Sequence, residues 1–70
     1  MATLRRSFDN VHEGEERDRV MIILDIMGYD YRITNNNICT YIYAQSRNDE
    51  ERKTLEDLGL YDDKTLYGGK

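Results

Sequence analysis

Seventy residues hold one small domain at most, and a core of that size rarely supplies more than about 3–5 kcal/mol. The single cysteine excludes an intrachain disulfide; with only one histidine beside it, a four-ligand zinc site is not available, and no metal or other cofactor is expected. Fourteen acidic against ten basic residues give a net charge of −4, which repels a phosphate backbone and places nucleic acid behind protein as a partner.

The opening "MATLRRSF" shows no periodicity, so residues 1–10 read as a flexible N-terminal arm. "DNVHEGEERDRVMIILDIMG" reads as a helix, started by Asn10 with Glu13 three residues on, or nearer Glu13 because Gly14 weakens the first turn. Glu13 with Arg17, and Glu15 with Arg19, are acid-before-base pairs at i,i+4. Val20, Ile23, Leu24 and Met27 fall on one stripe, and Gly28 is a natural left-handed terminator. The same run could be a buried strand from Val20 to Ile26, but the charge pairs and Gly28 favour the helix. At eight residues, with Asp25 inside it, "VMIILDIM" is too short to span a membrane, and it lies too far along the chain for a signal peptide.

"GYDYRITNNNICTYIYAQ" holds four of the six tyrosines around an asparagine triplet. Its flanks are rich in aromatic and β-branched residues, and asparagine tolerates the positive φ of tight turns, so a β-hairpin is expected. A two-residue loop at Asn35-Asn36 or Asn36-Asn37 would put Tyr29, Tyr31, Ile33, Ile38, Thr40 and Ile42 on one face. Asp30, Arg32, Cys39, Tyr41 and Tyr43 would share the other. A three-asparagine loop would instead gather Tyr29, Tyr31, Ile33, Cys39, Tyr41 and Tyr43, leaving a poorer division of polar from apolar.

"SRNDEERKTLEDLG" reads as a second helix, capped by Asn48 with Glu51 in the reciprocal position and ended by Gly59. Leu60 can fold back on Leu55. Residues 61–70 read as a C-terminal tail. The expected fold is therefore α+β: a helix–hairpin–helix (αββα) domain over residues 11–60, its two-stranded antiparallel sheet packed on the first helix.

No catalytic set emerges. His12 in "HEGEE" lacks a second histidine four residues on, Cys39 lies mid-strand without a base, and the acids Glu56, Asp57, Asp62 and Asp63 lack the spacing of a calcium loop. Gly68-Gly69 precedes no helix and makes no phosphate loop. The expectation is a non-enzyme.

Tyr41 and Tyr43, with Arg32 and Asp30 beside them, are the candidate partner-binding residues, since tyrosine buries much area for few frozen torsions. Glu13, Glu15, Glu16, Asp49, Glu50 and Glu51 form a candidate acidic surface. The expected function is a small acidic module that regulates or inhibits a larger protein, a nucleic-acid-binding enzyme among the candidates, by occupying its surface. A nucleic-acid binder using the tyrosine face, Arg32 and the arm's Arg5 and Arg6 is the alternative. Self-association through hairpin edges or the Val20–Met27 ridge into a homodimer is the third reading. A lone thiol suits a reducing interior, so a cytoplasmic setting without membrane attachment is expected.

Overall fold

The computed structural model describes residues 2–62. Six elements follow in the order β-α-β-β-α-β: β1 (Ala2–Asp9), α1 (Gly14–Met27), β2 (Tyr31–Asn35), β3 (Cys39–Ser46), α2 (Asp49–Asp57) and β4 (Tyr61–Asp62). All four strands form one antiparallel sheet in the order β2-β3-β1-β4. This is a double split β-α-β, the ferredoxin-like connectivity. It corrects the expected helix–hairpin–helix with a two-stranded sheet. The segment read as a flexible arm is the strand at the centre of the molecule, and Tyr61–Asp62, read as tail, is its short outer neighbour. The readings of Asp63, of Gly68-Gly69 and of the tail beyond Asp62 concern residues outside the described range.

The core explains why β1 must be central. Leu4 and Phe8 from β1, Ile42 and Ala44 from β3, Val20 and Leu24 from α1, Leu55 from α2, and Leu60 are all fully buried in one cluster that Tyr29 closes. A two-stranded hairpin offers one apolar row per strand, too little to cover two helices. Adding β1 supplies the missing row. Arg6 faces the same layer between Leu4 and Phe8. Its guanidinium lies 4.5 Å from the Phe8 ring centre, donates to the Leu58 carbonyl at 2.8 Å and pairs with Glu16 at 3.2 Å. One side chain thus ties β1 to both helices while its stem packs against apolar surface.

Local signals fix the joints. Gly28 ends α1 in the left-handed region at φ 77°, and Gly59 follows α2 at φ 87°. A Cβ at Gly59 would lie 2.8 Å from an Arg6 nitrogen, so this glycine also makes room for the Arg6 bridge. Leu60 N–H returns to the Leu55 carbonyl at 2.9 Å, closing the expected fold-back between two buried leucines. Asn48 caps α2 by accepting from Glu51 N–H at 2.8 Å, but the Glu51 carboxylate reaches Arg47 N–H rather than that of Asn48. Glu13, not Asn10, precedes α1. Asn10 instead ties the end of β1 to the hairpin: it takes the Thr40 hydroxyl at 2.6 Å and donates to the Asn36 carbonyl at 3.0 Å.

Three carboxylates are held below their usual range by hydrogen bonds that exist only when folded. Asp9 accepts from the backbone N–H groups of His12 and Val11, Glu16 from Arg19 and then Arg6, and Glu51 from the Arg47 side chain and N–H. A carboxylate with a depressed folded pKa stabilises the fold above its unfolded pKa, about 4 for Asp and Glu, and that contribution is lost as pH falls through the folded value. Melting temperature is therefore expected to fall progressively on acidification below about pH 4.5. Thermal unfolding followed by circular dichroism between pH 7 and 3 checks this. A melting temperature that rose on acidification would contradict it.

Candidate functional site

Both helices lie on one side of the sheet, so side chains of opposite parity project from the other. On β3 these are Cys39, Tyr41, Tyr43 and Gln45; on β2, Arg32 and Thr34; on β1, Thr3, Arg5 and Ser7; on β4, Tyr61. The hairpin register sets this division. Tyr31 pairs with Ala44 and Ile33 with Ile42, and Asn36 N–H donates to the Cys39 carbonyl at 3.0 Å, so the loop is Asn37-Ile38. The Asn36 side chain accepts from the N–H groups of Ile38 and Cys39, which bends the chain there. The loop has two residues, as expected, but sits one position beyond Asn36-Asn37 and two beyond Asn35-Asn36. The parity is the same, so Tyr41 and Tyr43 stand away from the helices. Ile38 moves from the expected core face to the exposed tip.

Register also aligns residues across the sheet. Arg32 on β2 lies opposite Tyr43 on β3, Tyr43 opposite Arg5 on β1, and Arg5 opposite Tyr61 on β4. The result is a row crossing all four strands in the order Arg32–Tyr43–Arg5–Tyr61. A second row, Thr34–Tyr41–Ser7, runs beside it. The Arg32 guanidinium sits 5.6 Å from the Tyr43 ring centre, and that of Arg5 sits 5.9 Å from Tyr41. The two rings are tilted 34° with centroids 6.5 Å apart. These distances are those of cation–π and offset aromatic contacts, which hold the rings in place on a rigid strand.

Two open hollows flank the ring pair. One, of about 430 Å³, is lined by Asp30, Tyr31, Arg32, Tyr43, Thr3 and Gln45; the other, of about 320 Å³, by Arg5, Arg6, Ser7, Tyr41, Gly59 and Tyr61. Each offers guanidinium beside phenol. The Cys39 thiol next to Tyr41 is the main influence raising that phenol's pKa above its ordinary value.

The sequence-predicted residues are brought together in part. Tyr41, Tyr43 and Arg32 share the ladder, with Asp30 at its margin. The acidic candidates lie apart, on and around the helix layer. Glu13 accepts the Asp9 N–H, Glu16 is held by Arg6 and Arg19, and Glu51 by Arg47, whereas Glu15, Asp49 and Glu50 are exposed. Arg5 and Tyr61 join the site from strands that the sequence reading left as arm and tail. The signal for Arg5 was present: Thr3, Arg5 and Ser7 alternate with Ala2, Leu4 and Phe8.

Among the described residues no cluster of three metal-ligating side chains occurs, and no helix is long and apolar enough to cross a membrane. His12 is exposed in the β1–α1 loop, and Cys39 is half-buried at the start of β3. Compared with known proteins, the chain matches no family model, no curated protein and no solved structure.

Proposed function

We propose that the protein is a small non-catalytic binding module of the cytoplasm, which regulates a larger protein by laying its outer sheet face on that protein's surface. The observation that carries this reading is the Arg32–Tyr43–Arg5–Tyr61 row with Tyr41 beside it. Tyrosine and arginine dominate the energetic centres of protein interfaces because each combines a large flat contact with polar reach. Side chains already ordered by their neighbours lose little freedom on docking. The contact residues are Tyr41, Tyr43 and Arg32, with Asp30 at the rim. The carboxylates of the helix layer act at longer range, steering the encounter, since several are already engaged by the chain's own arginines.

A second reading has one observation in its favour. Guanidinium groups and rings occupy one face while the acids crowd the other layer, and single-stranded nucleic acid is bound by stacking bases on aromatic side chains beside cations. The net charge of −4 weighs against it.

The test uses the tagged full chain and its Y41A/Y43A variant to capture partners from lysate, with and without nuclease. A stoichiometric protein that survives nuclease is expected with the native chain. The double variant should bind it at least about thirtyfold more weakly, the loss of a single strong interface residue at about 2 kcal/mol. Its circular dichroism spectrum should be unchanged. Capture that persists in the variant would remove the sheet face from the interaction, and capture abolished by nuclease would move the second reading to first place.

A further inference from the structure

The strand order leaves β2 at an edge, and its backbone has a definite polarity. Gln45 N–H donates to the Asp30 carbonyl and Asn36 N–H to the Cys39 carbonyl, both at 3.0 Å. In an antiparallel ladder the bonded residues alternate, so residues 30, 32, 34 and 36 turn their N–H and C=O groups toward β3. The corresponding groups of Tyr31, Ile33 and Asn35 point off the edge. Two of the usual protections of such an edge are lacking: the chain contains no proline, and the β2–β3 register runs without a bulge. On the opposite edge, β4 comprises Tyr61 and Asp62 among the described residues.

A second copy can pair with this edge antiparallel about a two-fold axis, and the outward groups allow a centre at any residue from Tyr31 to Asn35; those at Thr34 and Asn35 set no acid against Arg32. Centring on Arg32 sets that cation against itself, which disfavours pairing. Centring on Ile33 sets Arg32 against Thr34. Centring on Tyr31 sets Asp30 of each copy against Arg32 of the other, twice, at non-hydrogen-bonded positions where side chains approach closest. The stretch Asp30-Tyr31-Arg32 is thus complementary to its own reverse: acid, ring, base. Both Asp30 and Arg32 are exposed, and neither is in an ion pair among the described residues.

We propose that a second copy of this chain docks on the β2 edge about a two-fold axis at Tyr31, held by two reciprocal Asp30–Arg32 ion pairs and continuing the sheet from four strands to eight. The axis runs perpendicular to the sheet, so both tyrosine faces lie on the same side and the dimer presents two coplanar binding surfaces. A domain of this size gains stability from such pairing, as small cores commonly do. The inference concerns the edge rather than the face, and its failure would leave the partner reading standing.

Sedimentation equilibrium of the purified full chain at rising concentration tests it, together with D30R and R32D chains whose folding is checked by circular dichroism. The native chain should approach twice the monomer mass. Each charge variant alone should associate at least tenfold more weakly, because like charges then face each other. An equimolar mixture of D30R and R32D chains should recover the native association, since every facing pair is again opposite in sign. A native chain that stays monomeric to millimolar concentration would overturn the proposal. So would a dimer indifferent to both variants, which would place the contact elsewhere, or a mixture that fails to recover.

Discussion

A chain lacking residues 1–9 is expected to be unfolded at 25 °C. Those residues carry β1, which pairs with β3 along its whole length and with β4 on its other side. Removing it takes away Leu4 and Phe8, both fully buried, and the Arg6 bridge to Glu16 and Leu58. Each large buried side chain lost costs on the order of 2–5 kcal/mol, against a total of about 3–5 kcal/mol for a domain this small. What remains is a two-stranded hairpin with two helices, and such a sheet is marginal in water. The αββα domain expected from the sequence would survive this truncation unharmed, since it treats residues 1–10 as an arm. Far-UV circular dichroism and amide proton dispersion separate the two outcomes. A well-dispersed spectrum from the shortened chain would show that β1 is not needed for the fold.

The elements legible in the sequence are those whose signals are local. Gly28 announces the end of α1, Asn48 the start of α2, and Gly59 with Leu60 the return toward Leu55. The hairpin is equally local: its parity follows from a two-residue loop wherever among residues 35–38 that loop sits, so the facing of Tyr41, Tyr43 and Arg32 could be read although the turn itself was displaced. The Asn36 side chain moves it, by accepting the N–H groups of Ile38 at the loop's end and Cys39 just past it. β1 was hidden by composition. Its helix-facing row is Leu4, Arg6 and Phe8, and a central arginine breaks the alternation that marks a strand. Only the distant Glu16 and Leu58 make Arg6 acceptable there, and no local window contains them. Among the described residues β4 is two residues long and pairs only with β1. The candidate site divides in the same way: Tyr41, Tyr43 and Arg32 were visible, whereas the membership of Arg5 and Tyr61 rests on pairings between distant parts of the chain.

The exchange of roles between two isoleucines makes the register measurable. Ile38 and Ile42 were expected on one core face, two turns of the strand alternation apart. In the structure Ile42 is fully buried, opposite Ile33 on β2 and Arg6 on β1, while Ile38 is 73% exposed at the hairpin tip. Ile42→Ala is expected to cost about 2–5 kcal/mol, because three side-chain carbons leave a packed site between two strands and the helix layer and the cavity can close only in part. That is comparable with the whole stability of the domain, so much of the variant should be unfolded at 25 °C. Ile38→Ala should change stability by less than about 0.5 kcal/mol, as surface substitutions do. Urea unfolding of both variants beside the native chain reads the difference directly, as a shift in midpoint at constant slope. Equal losses would return Ile38 to the core and move the turn back to Asn36. The strand's parity, and with it the outward facing of Tyr41 and Tyr43, would be the same in either case, so a failure here would correct the loop without touching the tyrosine face.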